Sequence, residues 1–179
     1  MRIRLFTAAL LGTALTLTAC ASDSGTDTGT GADGEATACG DVTVEDTAFA
    51  PYLDLATIPT DVDLDMQEVQ IREDHFDACQ LLSWLIVDGT LGADPAFGVV
   101  FFHEGELVRD TSVLAGDIAA STRVSETAVS VDYPSGDDTW TVEHAWENGR
   151  MMLSAGDVPE FTTDVLRGAH LDLLRAPGQ

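Results

Sequence analysis

Thirty-one aspartates and glutamates, four histidines and three cysteines carry most of the chemical potential of this 179-residue chain. The alternating carboxylates of Asp61-Val62-Asp63-Leu64-Asp65 open like a calcium-binding loop, in which every second side chain turns toward the ion. The remainder of such a loop is missing. Its sixth position is Met66, where the turn needs glycine, and its twelfth is Arg72, where a bidentate glutamate belongs. The segment therefore reads as an exposed acidic loop or strand edge. His75, His103, His144 and His170 stand at neither H-E-x-x-H nor paired Cys/His spacing, so no metal or other cofactor is implied. His144 reads as a core histidine with a satisfied ring, and His103 as half of a surface ion pair with Glu106. No G-x-S-x-G elbow, Walker loop or G-x-G-x-x-G is present, and Ser83 and Ser154 lie in strand-like stretches without an elbow. With so many carboxylates, some pair falls at any separation a glycosidase requires, so such pairs identify nothing. Trp84, Trp140 and Trp146 could line a groove, but their strand contexts make them core residues first.

The cysteines say more. Met1-Arg2-Ile3-Arg4 is positively charged, and an uncharged apolar run follows from Leu5 to Leu17. At about 13 residues that run is too short to span a bilayer, and it fits the middle of a secretory signal. It ends in Leu17-Thr18-Ala19-Cys20, which resembles the bacterial lipobox. That resemblance implies cleavage after residue 19 and diacylglycerylation of the Cys20 thiol, with two or three acyl chains anchoring the protein stably. Residues 20–38 then form the lipidated cysteine and a tether almost entirely of Gly, Ser, Thr, Ala and Asp, too poor in apolar surface to offset its ordering entropy. Cys39 and Cys79 remain as an even pair in an oxidising compartment, for which a disulfide is the natural assignment. A metal or redox pair is the rival, supported by neither CxxC spacing nor a nearby histidine cluster.

Loss of Arg2 and Arg4 with the signal leaves six basic residues, none of them lysine, against 31 acidic ones. Such a charge argues against nucleic acid as a partner and against binding anionic head groups by general electrostatics. It suits a solvated acidic surface, a cationic partner or loose cation binding. The expected partners are membrane lipid through Cys20 and an envelope protein or small ligand of unknown identity.

The elements beyond the tether read as one domain. Thr43 to Ala56 has the spacing of a short amphipathic helix, with Val44, Ala48, Tyr52 and Leu55 on one side, although Pro51 interrupts it. Cys79 to Val87 is an apolar strand with hydrophobic residues on both faces, placing it mid-sheet and covered. Glu104-Gly105 reads as a two-residue hairpin turn that sets His103 against Glu106, Phe102 against Leu107 and Phe101 against Val108. Val129, Val131 and Tyr133 share one strand face. Asn148-Gly149 is the strongest turn signal and pairs Glu147 with Arg150 and Trp146 with Met151. Thr163 could cap a last helix with Val165, Ala169 and Leu173 in one stripe. The expected fold is α+β: a single antiparallel sheet of about five strands flanked by short helices.

Phe76-Asp77-Ala78-Cys79-Gln80-Leu81-Leu82-Ser83-Trp84 resembles the D-x-C-x-x-L-S-W segment of the actinobacterial LppP/LprE lipoprotein family. Val100-Phe101-Phe102-His103-Glu104-Gly105-Glu106-Leu107-Val108 is similar to that family's next strand and turn. Cys39-Gly40, Ile58-Pro59, the strand from Val129 to Tyr133, and Trp146-Glu147-Asn148-Gly149 before Val158-Pro159 follow in the same order. The resemblance implies an exported lipoprotein with paired cysteines and supplies no catalytic residues. Family members often carry a further cysteine pair that is absent here, and the stretch after Pro159 is additional. The sequence thus divides into a signal peptide (1–19), lipidated Cys20 and tether (20–38), an LppP/LprE-like domain (39–159) and a tail (160–179). The expected function is that of a non-enzymatic binding or envelope-assembly module, lipid-anchored on the extracytoplasmic side of the cell membrane. The alternatives are an extracytoplasmic hydrolase whose site assembles only in space, and an acidic cation-binding protein.

Overall fold

Strand β3 (Leu82–Leu91) is the element around which the rest is built. In the computed structural model, which describes residues 39–109, 112–155 and 169–178, every residue from Leu82 to Val87 is buried. Successive side chains of a strand point to opposite faces, so this run needs apolar cover on both. On one face Leu82, Trp84 and Ile86 meet Val129, Val131, Tyr133 and Val142. On the other, Leu85, Val87 and Leu91 meet Phe49, Tyr52, Ile58, Leu114 and Leu171. Each such aliphatic side chain withdrawn from water contributes about 1.5–3 kcal/mol before entropic costs.

Two antiparallel sheets supply most of that cover. The first has the order β1 (Thr57–Ile58), β2 (Met66–His75), β3, β4 (Asp94–His103) and β5 (Glu106–Leu107). The second is formed by β7 (Ala120–Ser125), β8 (Ala128–Ser135), β9 (Asp138–Glu147) and β10 (Arg150–Ala155), in the order β10-β9-β8-β7. A short pair joins β6 (Ser112–Val113) to β11 (His170–Leu171). The expected hairpin registers are all present: His103 lies opposite Glu106, Phe102 opposite Leu107, Glu147 opposite Arg150 and Trp146 opposite Met151. Both turns place two residues at positive φ, Glu104 and Gly105 at 51° and 80° and Asn148 and Gly149 at 53° and 80°. That geometry matches the right-handed twist of the flanking strands.

The expectation of an α+β domain, one sheet with flanking helices, is overturned. Among the described residues the fold is essentially all β, with two stacked sheets. Helix is limited to the five residues of α1 (Ala50–Asp54) and to 3₁₀ turns at Cys39–Asp41 and Val44–Asp46. Pro51 explains the first difference. It cannot sit inside a continuous helix from Thr43, but it is tolerated in a first turn, whose amide would be unpaired in any case. The Thr47 hydroxyl accepts from the Phe49 amide and breaks the path between the two helical turns. Leu55, expected on the buried side, is 56% exposed. The second difference is that the faces of β8 and β9 cover β3 and β4 rather than extend their sheet, a choice that strand alternation cannot encode.

At the C-terminal end, the helix expected from Thr163 lies outside the described residues as far as Gly168. From Ala169 on the chain is woven into the domain. Ala169, Leu171 and Leu173 are buried in the core, and Asp172 N–H donates to the Pro59 carbonyl at 2.8 Å. Tyr52 Oη donates to the carbonyls of Leu173 and Arg175, at 3.1 and 3.0 Å. Gly98 makes room for this segment, since a Cβ there would stand 2.7 Å from Leu171 Cδ1.

Candidate functional site

The bridge between Cys39 and Cys79 joins the first described residue to the loop connecting β2 and β3, with sulfurs 2.00 Å apart. That loop is held by Asp77, whose Oδ1 accepts from the Cys79 amide at 2.9 Å. Beside it opens a cleft of about 550 Å³ bounded by the end of β2, the start of β3 and strand β7. Its walls are His75, Phe76, Asp77, Gln80, Trp84, Ser121, Thr122 and Arg123.

Register explains why these residues meet. Ser121 and Arg123 pair with Val131 and Val129, so they share the inward face of the second sheet and point at the first. Trp84, paired with His75, stands near the start of β3, where that inward face meets β7. The Trp84 ring stacks with the His75 imidazole at 4.6 Å and has the Arg123 guanidinium over it, 5.0 Å from the ring centre. A cation over an indole face is attracted by the ring quadrupole. Arg123 also donates to the Leu82 carbonyl at 2.7 Å, which fixes its plane.

A chain of hydrogen bonds ties the polar groups together. Trp84 Nε1–H donates to Ser121 Oγ at 2.9 Å, Ser121 Oγ–H donates to Glu73 Oε2 at 3.0 Å, and His75 Nε2–H donates to the same oxygen at 3.2 Å. Serine, carboxylate and imidazole are all present, but in an order that does not activate a nucleophile. An attacking serine must give its proton to an imidazole that is oriented by the carboxylate. Here the carboxylate takes both protons, and Ser121 Oγ is already an acceptor for the indole. The arrangement holds donors and acceptors still, which serves recognition.

The other residues singled out in the sequence fall elsewhere. His144 is buried at 6% exposure and shares a hydrogen bond with Tyr133 Oη, Nε2 to oxygen 3.2 Å, as expected of a core histidine. Burial lowers its pKa to about 4 and pushes the Tyr133 phenol up. His103 sits opposite Glu106 in the ladder, but its nearest carboxylate is that of Glu104, at 3.9 Å, and its ring stacks on Trp146 at 4.4 Å. His170 Nδ1 is 3.0 Å from Asp61 Oδ2, and Arg175 reaches Asp65 Oδ1 at 2.9 Å. Two of the three alternating aspartates thus face cationic or imidazole partners of the same chain. Among the described residues no cluster of three or more His, Cys, Asp or Glu side chains could hold a metal ion. Ser83 is fully buried against the core. Cys20 lies outside the described residues.

Sequence reasoning missed Glu73, Ser121 and Arg123. Residues 48 positions apart, on strands of different sheets, meet here with no local spacing to announce them. The one legible hint was Arg123 itself, as one of very few cations in a chain with 31 acidic residues.

His75, Trp84, Ser121 and Arg123 all fall within one stretch, residues 74–148, that matches the family model described as LppP/LprE lipoprotein. That stretch is similar to the LppP/LprE lipoprotein family. The match runs from the end of β2 through the Asn148 turn, so it takes in the heart of both sheets and every wall of the cleft. The family is one of lipoproteins, and the likeness indicates no catalytic function. Neither a curated protein nor a solved structure matches the chain. Among the described residues, no helix is long and apolar enough to cross a membrane.

Proposed function

We propose that the chain is an exported lipoprotein, held at the outer side of the cell membrane by acyl chains on Cys20, whose β domain binds a small polar ligand in the cleft without transforming it. The observation that carries this reading is the commitment of Ser121 to Glu73 rather than to an imidazole. It leaves the cleft rich in fixed hydrogen-bonding groups and without an activated nucleophile. A donor (Arg123), an acceptor (Asp77) and an amide that does both (Gln80) stand with the hydroxyls of Ser121 and Thr122 beside His75, and Glu73 holds Ser121 from behind. Such a mixture matches a hydroxyl-rich, uncharged ligand such as a sugar, which both donates and accepts. A strongly anionic ligand fits less well, because the carboxylate of Asp77 shares the cleft with the single guanidinium.

The family supports the anchor, and the signal-like leader with its Leu17-Thr18-Ala19-Cys20 ending supplies the place. Partnering of Asp61 by His170 and of Asp65 by Arg175 supports reading that alternating segment as an acidic edge and not as a calcium loop.

The experiment is a titration of the protein with a series of neutral oligosaccharides, run beside nitrophenyl esters and nitrophenyl glycosides as turnover probes. Saturable binding is expected for at least one oligosaccharide, weakened about ten-fold or more by Arg123→Ala, with no turnover above buffer. Hydrolysis that disappears in Ser121→Ala would establish the hydrolase instead.

A further inference from the structure

A second cavity, of about 220 Å³, opens between strands β6, β9 and β10, away from the polar cleft. Its walls are apolar and soft: Phe101, Met151, Met152 and Leu153. Unbranched methionines adapt to ligand shape and make favourable contacts with aromatic rings. Three polar side chains break the apolar lining: Ser112 at 7% exposure, His144 at 6%, and the more exposed His170. His144 has its Nε2 on Tyr133. Ser112 Oγ is buried and has no hydrogen-bond partner among the described residues.

A buried hydroxyl without a partner is costly, and native proteins rarely keep one without a use. Its presence on the wall of a cavity points to a partner that arrives from outside. We propose that this cavity binds an uncharged molecule of aromatic-ring or short-chain size bearing one hydrogen-bonding group, with its apolar body against Phe101 and the methionines and its polar group on Ser112. Size sets the first limit. Apolar cavities of about 150 Å³ hold benzene, so this one takes a ring with a substituent or two. Charge sets the second. The imidazole at the rim, His170, is engaged by Asp61 at 3.0 Å, and the buried wall offers no counter-charge to a carboxylate or ammonium. The Ser112 hydroxyl can donate or accept, so phenols, alcohols and carbonyl compounds all qualify.

The test uses p-cresol and toluene, which differ by the one hydroxyl. The full chain carrying Cys20→Ser is the background throughout, which removes the acyl chains and with them the need for detergent. Methyl signals of the methionines are followed by NMR during each titration. Met151 and Met152 are expected to shift saturably with p-cresol, while Met66, buried in the opposite core, stays still. Ser112→Ala is expected to weaken p-cresol about ten-fold, to leave toluene within two-fold, and to leave the urea midpoint unchanged or higher. Three results would overturn the proposal: no saturable shift at Met151 and Met152, an equal loss of both ligands in Ser112→Ala, or a lower urea midpoint for that variant. The last would mean that the hydroxyl is bonded within the protein.

Discussion

Replacing Cys39 and Cys79 together with serine is expected to lower the stability of the β domain by about 4 kcal/mol. The two cysteines are 40 positions apart in the sequence, and their bridge restricts a loop that includes α1, β1 and β2. Opening it returns that loop's freedom to the unfolded chain, and the loss grows with the logarithm of loop length. The folded side has little with which to compensate. The segment from Cys39 to Leu55 is held by short helical turns and by three buried residues, Val44, Phe49 and Tyr52. Urea unfolding measures the effect directly. The double variant should unfold at a much lower midpoint, and a reductant should bring the native protein down to the same midpoint without moving the variant. A loss below about 1 kcal/mol would mean that the bridge only decorates an already rigid loop. The bridge also borders the polar cleft through Asp77 and Gln80, so ligand affinity should fall with it.

Acidification is expected to remove roughly 3 kcal/mol of stability through His144 alone. Its folded pKa is lowered from 6.5 to about 4 because burial disfavours the imidazolium. The unfolded chain therefore binds the proton first. Stability from this residue is complete above pH 6.5, falls as the pH drops, and is lost by about pH 4. The groups packed around the ring are Tyr133, whose phenol is neutral throughout this range, and Phe101, at 5.2 Å between ring centres. Carboxylates titrate near the lower end of the window, so the comparison that isolates the effect is with His144→Gln. That variant keeps a hydrogen-bonding group for Tyr133 and does not titrate. Urea midpoints of the two proteins should diverge between pH 7 and pH 4, with the variant the flatter. Parallel curves would show that the imidazole charges without penalty, contrary to its burial.

Local chemistry was legible in the sequence, and packing between distant strands was not. Asn148-Gly149 and Glu104-Gly105 dictated their hairpins because a two-residue turn with both residues at positive φ admits few alternatives. From those turns the registers of β4 with β5 and of β9 with β10 follow by counting. The double-faced apolar run of β3 announced a covered central strand, but its cover came from a second sheet instead of helices. Alternation in β8 and β9 states that one face is buried and leaves open what buries it. Pro51 was a warning about the first helix that the structure bears out in detail. The cleft was the least legible feature. Glu73, Trp84, Ser121 and Arg123 lie on β2, β3 and β7, and only the stacking of the sheets brings them within hydrogen-bond reach. By contrast, the proposed anchor involves no tertiary contact, and the four consecutive residues Leu17-Thr18-Ala19-Cys20 suggest it from sequence alone.

The whole functional reading depends on where the protein is held. Mass spectrometry of the N-terminal peptide, released from protein extracted from native membranes, tests this most directly. The expected spectrum shows a chain beginning at Cys20 and carrying the mass of a diacylglyceryl group, which is absent when Cys20→Ser is expressed in its place. An unmodified Cys20, or a mature N-terminus at any other residue, would contradict the assignment of this β domain to a lipid tether at the membrane surface.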